Sequence, residues 1–358
     1  MNVVKKAPLL VGTSLFTAIS ALAGLIDPNA TPETVELFER MKAIPENRIL
    51  FGQQHATCYG IGWENTDGTR SDVKTLTGSH PAVYGWDMGH FGTNDDRQLL
   101  IEAHERGAIN TISWHMDNLL TGEKSWSGGE GVLAAHLPGG KAHDKLKEKL
   151  DWFAEFNNTL IDSEGKLIPI IFRPWHEHTG GWFWWGPNGG SDEEFNELWR
   201  FTVEYLRDEK KLHNLIYAYS PIQAKFESVE DYLTLRFPGL DYMDVVGFDS
   251  YSKLPERLAE RSVIIAQVAR EHGKVAAICE FGISKGLNNH DDPNWFMNVL
   301  SHFKTMEGAG GIAYMLTWRN GGLEHFWVPY EGHVNEPDFK KFAADPFILL
   351  ENDLSEIK

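Results

Sequence analysis

The chain has 358 residues, 33 Lys plus Arg against 51 Asp plus Glu, and a formal net charge of −18. Its 42% apolar content excludes wholesale disorder, and its acidity, with no basic run of five or more, excludes the positive footprint that a nucleic-acid partner needs. Two cysteines, Cys58 and Cys279, exclude a disulfide scaffold or a four-thiolate zinc site, and 13 Trp suit either an aromatic core under an acidic surface or a neutral ligand held on aromatic faces.

In chain order, Lys5 and Lys6 precede an apolar stretch from Ala7 to Leu22, and Ala21-Leu22-Ala23 fits a small-x-small cleavage pattern. Residues 1–23 therefore read as a secretory signal peptide, with a retained apolar helix as the other reading, and 24–358 as one domain. Leu25 stands where a lipidated Cys would be needed, which argues against a lipid anchor. No later segment is long and apolar enough to span a membrane.

Thr31–Met41, with Thr31 as cap and Pro32 behind it, predicts a helix ahead of the first strand. Short apolar runs then alternate with amphipathic ones. The predicted strands are Ile49–Gln53, Ala82–Asp87, Ile109–Trp114, Leu167–Arg173, Leu215–Tyr219, Asp244–Phe248, Val275–Cys279 and Gly311–Leu316. Their near-continuous apolar character is that of parallel strands covered on both faces. Between them, helices are predicted over Ser71–Leu76, Asp95–Arg106, Ala142–Asn157, Asp192–Arg207, Val229–Arg236, Pro255–Glu271 and Pro293–Met306. Ser191-Asp192-Glu193-Glu194 is a capping signature, and Gly107, Gly273 and Gly308 follow three of the helices. Eight strand–helix units predict a (β/α)8 TIM barrel. A doubly wound sheet is the runner-up, but Phe51-Gly52-Gln53-Gln54-His55-Ala56 is not a phosphate loop.

In a barrel of this kind functional residues gather at the C-terminal ends of the strands. Those ends carry Gln53-Gln54-His55, Trp86-Asp87 with His90 beyond, Trp114-His115, Arg173 to His178, Asp249-Ser250-Tyr251, Glu280 and Trp318-Arg319. Glu280 closes the apolar run Val-Ala-Ala-Ile-Cys, and Glu177 follows Ile-Pro-Ile-Ile-Phe. A charge in such a place is costly unless it is paired or used. Strands four and seven lie nearly across a barrel, so the two carboxylates could approach to roughly 5 Å, the separation of a retaining glycosidase pair.

Trp182-Phe183-Trp184-Trp185 suits stacking on a sugar, with two of the four rings expected to anchor the loop instead. Trp63, Trp126 and Trp318 are further stacking or core candidates. His176-Glu177-His178 could place two His on one strand face and chelate a metal, but a third ligand and the four-residue helical spacing of zinc proteases are missing. Strand alternation predicts that Cys279, next to Glu280, points outward at the helices.

The segment Arg173-Pro174-Trp175-His176-Glu177-His178-Thr179-Gly180-Gly181-Trp182-Phe183-Trp184-Trp185-Gly186 closely resembles the acid/base segment of family 26 glycoside hydrolases, the β-mannanases. Cys279-Glu280-Phe281-Gly282 is similar to that family's nucleophile segment, and Ser113-Trp114-His115, Asp249-Ser250-Tyr251 and Trp318-Arg319 match in kind and order. The resemblance covers roughly residues 31–350. It implies a secreted or periplasmic retaining hydrolase, acting as a monomer on β-1,4-mannan or mannooligosaccharides, with no cofactor and no metal. Glu177 would be its acid/base and Glu280 its nucleophile. Tyr251 would hydrogen-bond the nucleophile, and His176 would hold the hydroxyl beside the anomeric centre. His115 and Trp318 would bind the sugar being cut, Trp182 would stack near the cleavage point, and Arg319 would contact the next sugar outward. Arg173, Trp114 and Asp249 join the substrate-binding set. Other members often carry Met where His178 stands, which leaves the subsites beside the cut open. The family also holds some β-glucanases and β-1,3-xylanases. A carbohydrate-binding barrel without catalysis and a metal hydrolase are the readings from other classes.

Overall fold

The computed structural model describes residues 24–64, 67–91 and 96–357. The signal-peptide reading of 1–23 lies outside the described residues. Eight parallel strands form the barrel: β1 (Ile49–Gln54), β2 (Val83–Asp87), β3 (Ile109–Ser113), β4 (Ile170–Arg173), β5 (Leu215–Tyr219), β6 (Val245–Tyr251), β7 (Val275–Gly282) and β8 (Tyr314–Thr317). Each pairs with the next, and β8 returns to β1 through Leu50↔Tyr314 to Gln53↔Thr317. That closure confirms the (β/α)8 barrel and excludes the doubly wound sheet. A short strand, Ile348–Leu349, lies along the start of β1.

The main helices are α1 (Pro32–Lys42), α2 (Asp72–Thr77), α3 (Arg97–Glu105), α4 (His143–Asn157), α5 (Asp192–Glu204), α6 (Val229–Thr234), α7 (Pro255–His272), α8 (Trp295–Thr305) and α9 (Glu336–Ala343). Local signals set their ends. Thr31 Oγ1 caps α1 through the Thr34 N–H, and Ser191 and Glu194 form a reciprocal capping box on α5. Pro255 opens α7 and Gly273 closes it in the left-handed conformation. α5 stops at Glu204, short of the predicted Arg207, because the chain relaxes into a π-turn over Tyr205–Glu209. On α4, Leu146, Leu150, Phe153 and Ala154 form the buried stripe that the spacing predicts. Among the described residues, no helix is long and apolar enough to cross a membrane.

Two strands run well past their predicted C-terminal ends, the others ending within one residue of them. β6 and β7 run on past Phe248 and Cys279 to Tyr251 and Gly282, so Asp249 and Glu280 lie within paired strand. The pairing also slips: Phe248 faces Ile278, but Asp249 faces Glu280, leaving Cys279 as the extra residue of a bulge. The bulge overturns the outward orientation expected of Cys279. A Cβ on Gly247 would lie 2.5 Å from the Cys279 Sγ, which also sits 3.6 Å from the Tyr314 hydroxyl. Gly247 alternates with Asp249 on the inner face of β6, so Cys279 and Glu280 both face the barrel interior. Both cysteines are free thiols.

Only glycine fits at position 247 beside that sulfur. Gly247→Ala is expected to lower stability by about 1–3 kcal/mol through overpacking. Adding Cys279→Ala should recover the sulfur's share of the loss but not the share from the Ala277 carbonyl, 2.8 Å from the same Cβ. Denaturant midpoints of the two single variants and the double variant check this, and simple additivity would show that the sulfur contact is not the cause.

Candidate active site

The segment after β4 leaves the barrel through two non-glycine residues with left-handed backbone, Trp175 (φ 51°) and Glu177 (φ 52°). Such conformations cost of order 1–3 kcal/mol each and persist only where surroundings enforce them. Here the Glu177 N–H donates to the Ser220 carbonyl (2.9 Å), and the Trp175 and Trp185 indoles donate to Thr202 Oγ1 (3.0 Å) and the His176 carbonyl (2.7 Å). The alternation turns His176 and Glu177 into the cleft, while His178 packs away from it, stacked on Phe195 with ring centroids 4.4 Å apart. The two His therefore share no face for a metal, and His178 does not shape the cleft wall.

Glu177 and Glu280 line one cavity of about 650 Å³, and both are nearly buried (8% and 3% exposed). Their surroundings differ in sign. Glu280 receives two donors, the Arg173 guanidinium on one oxygen and the Tyr251 hydroxyl (2.6 Å) on the other. Arg173 in turn donates to Asp249 (2.8 Å) and Ser220 (3.2 Å), and all four of these groups come from strands β4 to β7 or the residue after β5. Burial alone would lower the pKa of Arg173, but Asp249 and Glu280 outweigh it and hold the guanidinium charged. Arg173 and Asp249 were expected to bind substrate. Both are nearly sealed from solvent: Arg173 holds Glu280, and Asp249, which anchors Arg173, also lines the cavity beside Glu280.

Glu177 has one donor, the Trp182 indole (2.7 Å). Burial and the neighbouring negative charge of Glu280 push its pKa up from 4.5 to about 7, against the pull of Trp182 and Arg173. The folded protein thus holds a proton here that the unfolded chain releases from about pH 4.5 upward, so stability falls as pH rises through the window from 4.5 to 7. Glu177→Gln can still accept the Trp182 N–H and carries no charge. It should be more stable than the parent at pH 8, by up to about 3 kcal/mol, and equal to it at pH 4. Thermal melts at the two pH values check this; equal melts at pH 8 would mean that the carboxyl ionises without penalty.

Beside the pair, Asp87 at the end of β2 grips His115, accepting from its backbone N–H (3.1 Å) and contacting Nδ1 at 2.5 Å. Burial opposes a charge on His115, but Asp87 and Glu280 outweigh it and raise its pKa. Burial, Arg173 and His115 push His176 well down. The two rings meet through their Nε2 atoms, 3.2 Å apart. Trp318, just beyond β8, meets the His115 ring edge-on at 5.8 Å. Trp182 lies over Gly180, where any Cβ would come within 2.4 Å of the indole.

Of the four consecutive aromatic residues, Phe183, Trp184 and Trp185 are buried and only Trp182 is partly exposed, so three rings anchor the loop rather than two. Trp114 packs on Trp152 and Phe153 of α4 and lines the cavity beside Arg319 rather than the one around the carboxylates. Trp63 is fixed by Asp72 (2.7 Å) with Arg70 over its ring, and serves structure. Trp126 is 64% exposed at the rim against Phe183. Arg319 is held by the Tyr59 hydroxyl (3.1 Å) and lines a second cavity of about 910 Å³. The two cavities share His115, Trp126, Trp318 and His325 and so form one cleft across the rim. Phe183, one of the anchoring rings, also lines the cavity; sequence reasoning missed Gln223, Lys285, His325 and Trp327 as lining residues. They sit on loops whose fold over the rim carries no periodic signal.

A family model, glycosyl hydrolase family 26, matches residues 26–306. The chain belongs to glycosyl hydrolase family 26. Among family 26 relatives, a mannan endo-1,4-beta-mannosidase of Bifidobacterium adolescentis is 37% identical over 350 residues, covering 88% of this chain and 34% of that protein. The chain thus spans about a third of that relative's length. A Bacillus subtilis protein of the same name is 27% identical over 321 residues, covering 82% of this chain and 81% of its own. Among solved structures, a modular endo-beta-1,4-mannanase of Cellulomonas fimi superposes with a TM-score of 0.88 at 38% identity, covering 92% of this chain and 78% of that one. A family 26 beta-mannanase of Bacteroides ovatus gives 0.83 at 37%, covering 90% and 96%.

Proposed function

We propose that the protein hydrolyses β-1,4-mannosidic bonds within mannan chains with retention of configuration, using Glu280 as nucleophile and Glu177 as acid/base. The observation that carries this reading is the unequal treatment of the two carboxyls in one cavity. Glu280 is held by Arg173 and Tyr251, and Glu177 has a pKa of about 7. In the first step Glu280 attacks the anomeric carbon while protonated Glu177 gives its proton to the leaving glycosidic oxygen. The covalent ester removes the charge of Glu280, and with it the Coulombic push on Glu177. Glu177, now the stronger acid, is left ionised and takes a proton from the water that opens the ester. Arg173 and Tyr251 stabilise the carboxylate as it leaves.

His176, its pKa pushed well down by burial and Arg173, pairs with His115 and lies beside the cutting point, where it engages the hydroxyl next to the anomeric centre. Trp318 supplies an aromatic floor for that sugar, and Arg319 meets the next one outward. A cleft that continues on both sides of the carboxylates supports attack inside a polymer. Mannan is too large to enter a cell intact, and the apolar stretch behind Lys5 and Lys6 supports export to meet it. Both carboxylates come from one chain, so a monomer suffices.

Chromatography of products from mannan, mixed-linkage β-glucan and β-1,3-xylan, run side by side, tests the substrate. Mannooligosaccharides from mannan and nothing from the other two are expected. Release from β-glucan or xylan alone would overturn the mannan assignment while keeping the chemistry, and no release from any would leave a binding barrel.

A further inference from the structure

Outside the carboxylate pair, the rim between β1 and β2 gathers four metal-ligating side chains from two loops. His55 and Cys58 follow β1, with Cys58 Sγ 3.7 Å from His55 Nδ1. His90 lies in the turn after β2, and Asp96 stands just ahead of α3 with its side chain making no cap bond, its carboxylate oxygen 2.5 Å from His90 Nε2. The His55 and His90 rings are 4.5 Å apart. One ligand atom from each of the four residues lies within 4.8 Å of all the others. His55 and Cys58 are buried, and His90 and Asp96 are half-buried.

We infer that His55, Cys58, His90 and Asp96 form a structural site for a zinc-type transition-metal ion that ties the loops after β1 and β2 together. Three physical arguments carry it. The donor set is two imidazole nitrogens, one sulfur and one carboxylate oxygen, which selects a borderline or soft ion and not magnesium or calcium. With metal–ligand distances of about 2.0–2.3 Å, a tetrahedral ion needs donors about 3.3–3.8 Å apart. The four atoms reach that by shifts of about an ångström. Charge balances as well: a dication meets one thiolate, one carboxylate and two neutral imidazoles, a net of zero in a place largely closed to water. Binding replaces the Cys58 thiol proton, which is released to solvent. Four protein ligands leave no open position, so the ion holds structure and takes no part in hydrolysis. Tyr59, next to Cys58, holds Arg319, so the ion would also steady that side of the cleft.

Cobalt(II) reads this directly. Untagged full-length protein, freed of metal by a chelator and titrated with cobalt, should take up one equivalent. It should develop a thiolate-to-cobalt charge-transfer band together with the intense visible bands of a four-coordinate ion, and zinc should displace both. Cys58→Ser should lose the charge-transfer band, and His90→Ala, at a half-buried position, should weaken cobalt binding at least about tenfold. Circular dichroism of each variant separates loss of the site from loss of the fold. No thiolate band in the parent protein, the weak spectrum of a six-coordinate ion, or a band that survives Cys58→Ser each overturns the site. None of these readouts involves glycan hydrolysis, so failure here leaves the proposed reaction untouched.

Discussion

Glu280→Ala is expected to lower kcat on mannan by roughly 10⁵-fold, because the double displacement loses the atom that forms its covalent bond. The variant should still fold. Arg173 keeps Asp249 and Ser220 as partners, so the buried guanidinium is not left without an anion. The deletion opens a small polar void faced by the Arg173 guanidinium and the Tyr251 hydroxyl, the two donors that had held the carboxylate. Azide fits such a void. Given an activated aryl β-mannoside, azide should attack the anomeric carbon from that side, displace the aryloxide and yield the α-mannosyl azide, with inverted configuration. Product configuration by proton NMR checks this. Near-parental turnover of mannan without azide would sink the assignment of Glu280.

Glu177→Ala should behave differently, and the difference separates the two roles. On mannan, whose leaving group needs a proton, kcat should fall about 10²- to 10⁴-fold. On an aryl glycoside with a strongly acidic phenol the first step needs no proton, so the covalent ester should still form quickly and accumulate. Azide then attacks that ester from the open face and gives the β-mannosyl azide. The pH profile supplies a second signature. With Glu177 as the proposed acid, the parent should need it protonated for the first step, so kcat/KM should fall about tenfold per pH unit above roughly pH 7, where the Glu177 proton is lost. In Glu177→Ala that alkaline limb should vanish. A limb that persists unchanged would assign it to another group.

These expectations rest on features of unequal visibility in the chain. Glu177 and Glu280 stand out because each ends an apolar run where an unpaired charge is costly. The eight strands stand out because parallel strands buried on both faces lose polar residues almost entirely. Cap signals such as Ser191 with Glu194 need only local bonds, and the structure has them. Direction is another matter. Trp114 sits one residue from His115, yet it packs on α4 and lines only the second cavity, whereas His115 lines both. Arg173 and Asp249 belong to the right strand ends, but that Asp249 anchors Arg173 and Arg173 grips the nucleophile candidate is decided only by the ladder between β4 and β7. His178 seemed to flank the site and instead stacks on Phe195 of α5.

The alternation of buried runs with capped helices, and the polar residues at the end of each run, suffice for the barrel, its working rim and the two carboxylates, because those signals come from neighbours within a few residues. Long-range pairing decided the rest. The bulge at Cys279 turns that sulfur inward beside Glu280, and no local pattern reports a slip in register against β6. The raised pKa of Glu177 comes from burial by the assembled rim and from the Glu280 charge, about a hundred residues away in sequence. The meeting of His55 and Cys58 with His90 and Asp96 depends on β1 and β2 lying side by side, which brings together two loops that neither segment's own composition connects.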